Sequence, residues 1–370
     1  MLFLGDSMNQ VVKNLLKSID DHGYRSFVVG GYVRDYILGL NDNYDVDIAT
    51  DAPANLLLDI FSDYSPKVYK FDTIKFKIDK YSVDIAQFRD EKLIDSRLII
   101  KRTQDIETDE SRRDFTVNSI YMDKEGNYTD YYGGIDDVKE KRLVFIGDPA
   151  LRITEDPDRI LRMIFFSIKY DFSADLYLNS DMYDLFKSNI KLCSDSSLSK
   201  YLLKIFQTNR LKDFFELITK IELDSFFFGN KDNVLFNNLY VFLISTNFKF
   251  INLLPNDIIK TIDCINEIVK GSIIDEKTLF NYSYENNINA AIILNVSLEE
   301  VKDKFNSMQI HSLNDVLINK KEIAHLINSE IDDNVNKIYN NIIDLLIYNK
   351  MINDKKVLTN YVLRGELNEL

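Results

Sequence analysis

Nine of the twelve glycines fall at or before Gly147, and only Gly229, Gly271 and Gly365 come after it. Glycine serves tight turns and close backbone approaches. The first 147 residues therefore read as a turn-rich region of mixed strands and helices. The remainder has long Leu/Ile/Phe/Asn/Lys stretches with few breakers and reads as helical. A chain of 370 residues is long for one core, so two or more domains are expected.

Within the first region, Arg25–Gly30 reads as a buried strand running into Gly30-Gly31, and Tyr32–Leu38 as a helix. Tyr44–Ala49 is a second strand, and Pro53 opens a helix through Phe61 at a position that proline tolerates. Thr73–Asp79 and Tyr81–Phe88 alternate apolar and polar side chains, as strands with one buried face do. In the second of these, Tyr81, Val83 and Ile85 look inward, and Asp84 shares the polar face with Ser82 and Ala86. Residues 90–111 are polar without a sustained period and read as a mobile loop.

Composition narrows the function. The chain is 45% hydrophobic and 28% charged, which suits folded cores rather than a disordered tail. It has no run of 18 apolar residues and no charged-then-apolar leader, so no membrane association is expected. Cys193 and Cys264 lie far apart, and His22, His311 and His325 are scattered, which fits a reducing, cytoplasmic setting without a zinc site. A net charge of −14 weighs against tight non-specific binding of long polyanions. A local basic surface can still bind RNA beneath an acidic total.

The chemistry concentrates in Asp45-Val46-Asp47. On a strand, residues i and i+2 point to one face, so the two carboxylates repel unless a cation lies between them. Mg²⁺ prefers oxygen ligands and fills its remaining positions with water and phosphate oxygens. Taken alone, such a pair is more often an ordinary solvated strand face. Gly30-Gly31, at a strand-to-helix junction, lets backbone N–H groups approach phosphate oxygens, and Arg34 adds a charge one turn later. A lone Gly-Gly is also an ordinary turn, and this one is not a P-loop. If the Asp84 strand lies beside Asp45 and Asp47, a third carboxylate joins them. That set suits phosphoryl transfer assisted by two metal ions.

Four stretches carry a family resemblance. Val28–Asp35 (VVGGYVRD) followed by Asp45-x-Asp47, Arg112–Ser119 (RRDFTVNS), Tyr131–Val138 (YYGGIDDV) and Glu155–Arg162 (EDPDRILR) resemble, in order and spacing, the motifs of class II CCA-adding enzymes and bacterial poly(A) polymerases. The likeness is strong from about residue 25 to 170 and faint beyond. It implies an α+β fold: a nucleotidyltransferase head of the polymerase-β type, then an all-α neck, body and tail. The expected boundaries are 1–139 for the head, 140–206 for a neck that recognises the nucleotide base, and 207–370 for a body and tail that bind tRNA.

The same resemblance implies Mg²⁺ on Asp45 and Asp47, with Asp84 as the third catalytic carboxylate. It assigns the sugar and triphosphate to Gly30, Gly31, Arg34, Arg112, Arg113 and Asp114, and the base to Asp156 and Arg159, with Arg162 one turn further on. Asp156 and Arg159, at i and i+3 of a helix, are expected on one face. A carboxylate accepts from the exocyclic amino group of C or A while guanidinium donates to the neighbouring ring acceptor. Uracil and guanine present the opposite pattern. Each good paired contact discriminates by roughly 1–3 kcal/mol.

The substrates implied are CTP, ATP and tRNA, and the product is the CCA end. The family also holds CC-adding and A-adding enzymes and poly(A) polymerases, and non-catalytic RNA-binding relatives are conceivable. The 22 residues between Arg89 and Arg112 leave room for the loop linked to complete CCA addition. No strongly basic extension precedes Leu370, which counts against a poly(A) polymerase, and three retained carboxylates count against a non-catalytic relative. Phe165 and Phe166 stand where the family commonly has Arg-Phe, and the fifth motif is degenerate at Ser197–Ile205. Monomer and homodimer both remain open.

Overall fold

The computed structural model describes residues 8–40, 44–94, 97–177 and 179–364. They divide into two compact units at Leu223/Asp224.

The first unit is built on a seven-stranded sheet in the order β3-β4-β5-β2-β1-β8-β9. Its strands are β1 (Ser26–Val29), β2 (Asp45–Thr50), β3 (Lys67–Val68), β4 (Ile74–Ile78), β5 (Tyr81–Gln87), β8 (Tyr121–Met122) and β9 (Tyr128–Thr129). The pair β2–β5 is parallel, and the other neighbours are antiparallel. Alternation sets the register: Tyr81, Val83 and Ile85 of β5 are buried, while Ser82, Asp84 and Ala86 are partly exposed. A slip of one residue would send the apolar set to the wrong face.

Helix α1 (Gln10–Asp20) shows why such a segment folds. Asn9 caps it by accepting from the Val11 N–H, and Val12, Leu15, Leu16 and Ile19 form one buried stripe at helical spacing. Helices α2 (Gly31–Ile37) and α3 (Ala54–Ile60) follow the Gly30 and Pro53 turns.

One expectation fails here. The described residues of 90–111 are strands and a helix rather than a loop: β6 (Arg89–Ile94) pairs antiparallel with β7 (Arg97–Arg102), and α4 (Ile106–Ser111) follows. Asp105 caps α4 by accepting from Thr108 N–H at 3.1 Å. The hairpin forms its own two-stranded sheet, and its charged side chains give no alternation to read.

After α5 (Gly134–Lys139) every named element among the described residues is helical. Asp148 caps α6 (Pro149–Glu155), with proline at the first turn. Then come α7 (Asp158–Tyr170), α8 (Ser180–Asn189), α9 (Asp195–Phe206) and α10 (Leu211–Lys220).

The second unit is helical, with main helices at Asn256–Gly271, Tyr284–Leu294, Leu298–Ser307, Asp333–Ile347 and Lys355–Arg364. Capping boxes at Asp275/Thr278 and Asn319/Glu322 start two of its shorter helices. One apolar core gathers Ile310, Ile323, Val335, Ile342, Leu346 and Leu358, each essentially buried. No helix among the described residues is long and apolar enough to cross a membrane.

Candidate active site

The site begins as a row across the sheet. Backbone register places Val29 beside Asp47, Asp47 beside Asp84, and Asp84 beside Lys75, on β1, β2, β5 and β4 in turn. Asp45 is two residues from Asp47 on the same face, so three acids share this surface, as the sequence suggested. Asp84 is not idle: the Lys75 ammonium forms an ion pair with it across the β4–β5 ladder. Among the described residues no three His, Cys, Asp or Glu side chains gather into a ready metal cage. Asp45 and Asp47, the two acids expected to hold the metal, thus stand beside Asp84, which is engaged by lysine.

The turn before α2 fits against that pair. Gly30 has φ +69° and ψ −133°, a conformation that suits only glycine. A Cβ there would lie 3.5 Å from Asp47 Oδ2 and 3.9 Å from Arg113 Nη1. Asp47 opens onto the cleft yet is hemmed in by protein. Poor hydration raises its pKa first, and Asp84 and Asp45 add to the rise, opposed by Arg113 and Lys75. A carboxylate so placed gains from a nearby dication. Mg²⁺ usually takes one or two protein carboxylates and completes its shell with water and substrate phosphate, so the donor set fits such an ion.

A second layer fixes the arginines. Asp109 on α4 is fully buried and accepts from Arg112 Nε at 2.9 Å and from the Tyr121 hydroxyl. It also accepts from the Arg89 backbone N–H at 2.8 Å. Burial alone would raise the Asp109 pKa, but Arg112 and Arg113 outweigh it and hold the carboxyl below the usual range. Burial likewise opposes the charge on Arg113, yet Tyr121, Asp109 and Asp47 reverse the balance and raise its pKa. Arg152 donates to the backbone carbonyls of Arg112 at 2.6 Å and Arg113 at 2.8 Å, clamping that segment from α6.

These groups line a cleft of 880 Å³ that includes Gly30, Gly31, Arg34, Asp45, Asp47, Arg112, Arg113, Asp114, Arg159 and Arg162. Of the twelve residues singled out from the sequence, Asp84 and Asp156 alone are not among its walls. Arg34 is 4% exposed and already committed, donating to Asp35 at 2.8 Å and Asn118 at 2.6 Å, with its guanidinium carbon 4.1 Å from the Tyr170 ring centroid. It braces α2 against α7 in this structure.

Asp156 departs from the expected helix face. It sits in extended backbone (φ −146°, ψ 93°) between α6 and α7, because Pro157 breaks the run. Its carboxylate pairs with Arg162 Nη2 at 2.5 Å, whereas Arg159 Nη1 donates to the Arg152 carbonyl and to Glu155 at 3.5 Å. Arg162 also pairs with Asp114 at 2.9 Å. The Arg159 Nε–H is buried without an acceptor.

Several cleft residues escaped the sequence reading. Lys169 and Tyr170 lie on the α7 stripe that begins at Arg159 and Arg162, and Tyr201 comes from α9. The i, i+3, i+4 spacing from Arg159 was the available signal. For Asp109 it was the matching i+3 and i+4 spacing to Arg112 and Arg113.

A mixed sheet carrying paired carboxylates, a glycine turn and an arginine-lined cleft has the parts that metal-assisted phosphoryl transfer requires. Residues 26–144 match the poly A polymerase head domain family. The CCA-adding enzyme of Oceanobacillus iheyensis is 30% identical over 213 residues, 57% of this chain and 53% of that protein. The alignment thus spans about half the length of that relative. The CCA-adding enzyme of Lactococcus lactis subsp. lactis is 26% identical over 93% of this chain and 94% of its own. In fold, the Bacillus stearothermophilus CCA-adding enzyme in complex with CTP superposes with a TM-score of 0.76 at 19% identity, covering 96% of this chain and 97% of the other. Residues 26–144 thus match a poly A polymerase head domain, and the chain as a whole is similar in sequence and fold to CCA-adding enzymes.

Proposed function

We propose that the protein adds nucleotides to the 3′ end of tRNA without a template, using CTP and ATP to build the sequence CCA. The observation that carries this reading is the Asp45/Asp47 pair on the floor of an arginine-lined cleft. The names of relatives similar over most of the chain support it: the Lactococcus lactis protein is a CCA-adding enzyme, and the Thermotoga maritima CCA-adding enzyme is known in complex with tRNA.

In this reading the 3′ oxygen of the RNA bonds to the α-phosphorus, the bond to the bridging β-oxygen breaks, pyrophosphate leaves and the hydroxyl proton passes to water. Asp45 and Asp47 would hold Mg²⁺, which when bound would supply acidification of the hydroxyl and neutralisation of the triphosphate. Arg112 and Arg113, kept charged and oriented by Asp109, take phosphate oxygens, and the glycine turn gives the phosphates close backbone approach. Asp114 reaches the sugar and holds Arg162. Arg159 offers its unsatisfied Nε–H to the base, and Asp156 reads the amino group once its pair with Arg162 opens. Residues 140–206 then recognise the nucleotide, and 207–370 bind tRNA.

The test offers tRNA ending at its discriminator base one nucleotide at a time. C incorporation should exceed U and G by at least roughly 10-fold, and Asp156→Ala with Arg159→Ala should erase that preference. Equal use of all four nucleotides by the unaltered protein sinks the base-reading assignment. Long A-tracts as the product replace CCA addition with poly(A) synthesis.

A further inference from the structure

Beside the nucleotide cleft lies a second cavity, of 600 Å³, that shares Asp45 and Asp47 with it. Asp84 lines this second cavity and is not among the walls of the first. The acid pair therefore borders both spaces, whereas Asp84 borders the second and Arg159 and Arg162 border the first. Displacement at phosphorus places the attacking and leaving oxygens roughly in line, on opposite sides. If the arginine-lined cleft takes the triphosphate, the other space faces the attacking side.

The lining has the chemistry of a nucleotide seat. Phe61, Phe76 and Tyr64 stack in sequence, with centroids 5.1 Å and 5.3 Å apart and the Phe76–Tyr64 planes within 12°. The stack starts in the core, where Phe61 is 2% exposed, and ends on Tyr64, 40% exposed at the cavity. A ring fixed from behind and open in front is a platform for a base, since every base has a π-face. Lys67 and Lys77, exposed on β3 and β4, also line the cavity and make no ion pair among the described residues. Lys75 pairs with Asp84 on the same wall. A flat aromatic beside unpaired ammonium groups, next to carboxylates, matches one terminal nucleotide and its phosphodiester.

We infer that this cavity seats the 3′-terminal nucleotide of the RNA, with Tyr64 stacking on its base and Lys67 and Lys77 holding its backbone phosphate. The inference rests on the nucleotidyl-transfer reading and extends it to the second reactant. Lys75 is a positioning residue: it keeps Asp84 on the cavity wall beside the seat. Because stacking ignores base identity, the seat accepts the discriminator base and each added C in turn.

The experiment uses the full chain and an acceptor minihelix ending in 2-aminopurine. Binding should quench its fluorescence, Tyr64→Ala should abolish the quench, and Tyr64→Phe should restore it. With Lys67→Ala and Lys77→Ala combined, the single-turnover rate at saturating CTP should fall roughly 10- to 100-fold, while the KM for CTP stays within about twofold. Quenching that survives Tyr64→Ala, or a KM for CTP that rises as steeply as the rate falls, overturns the inference. If the unaltered protein extends no RNA at all, the transfer reading fails first. Extension by the unaltered protein with unchanged variants defeats the seat alone.

Discussion

The two units bury different things. In the first, Arg34, Asp35, Asp109, Glu110, Asp137 and Arg159 are all under 9% exposed, and in the second Asp224 is the one charged residue among the described ones with that burial. The second unit keeps its charges at the surface, as with Lys277 and Asp344, each half exposed. Buried ion pairs are weak sources of stability, because desolvation offsets most of the attraction. Their concentration around Arg112 and Arg113 makes sense as orientation. The first unit holds charged groups still where a polyanionic substrate would meet them, and the second is organised by apolar packing.

Substitutions in the first unit should sharpen this contrast. Asp47→Ala removes one of the paired carboxylates, and nucleotide addition should fall at least about 1,000-fold in a primer-extension assay. Thermal stability should not fall, because poor hydration first, and the acidic neighbours after it, disfavour the charge that the substitution removes. Asp109→Ala should cost the first unit about 3–5 kcal/mol in urea unfolding, since Arg112, Arg113 and Tyr121 lose their shared acceptor inside the protein. A loss below about 1 kcal/mol would mean that the arginines are oriented by something else.

Glu110 gives a pH-dependent case. It is fully buried, accepts from Ser119 and the Tyr131 N–H, and burial pushes its carboxyl up to about 7. An unfolded glutamate ionises near 4.3, so between these values the unfolded chain has released a proton that the folded one keeps. Stability attributable to Glu110 is therefore full below the unfolded value and is lost as pH rises toward 7. Glu110→Gln should leave stability at pH 4 nearly unchanged and raise it by roughly 3–4 kcal/mol at pH 8. Equal effects at both pH values would contradict the assignment. At the small end, Lys277→Ala in the second unit should change stability by at most about 1 kcal/mol and lose even that in high salt.

How much of this was legible in the sequence follows the same division. Alternation gave β5 and the inward set Tyr81, Val83 and Ile85, and the Gly30 turn was readable because its backbone admits no other residue. The hairpin Arg89–Arg102 was not, because charged residues such as Asp90, Glu91, Lys101 and Arg102 hide the period of two. Helical spacing predicted that Asp156 and Arg159 share a face, but Pro157 breaks the helix between α6 and α7 and hands Asp156 to Arg162. Nor could spacing reveal that Lys75 meets Asp84, a contact that depends on which strands become neighbours.

Transfer of nucleotides to an RNA end, with choice of base, depends in this protein on the carboxylate pair. The direct measurement incubates tRNA ending at its discriminator base with all four nucleotides and Mg²⁺ and sequences the 3′ ends. The account predicts C-C-A and then termination, lost together in Asp47→Ala. Tails of mixed sequence, or CCA ends that persist undiminished in that variant, would contradict it.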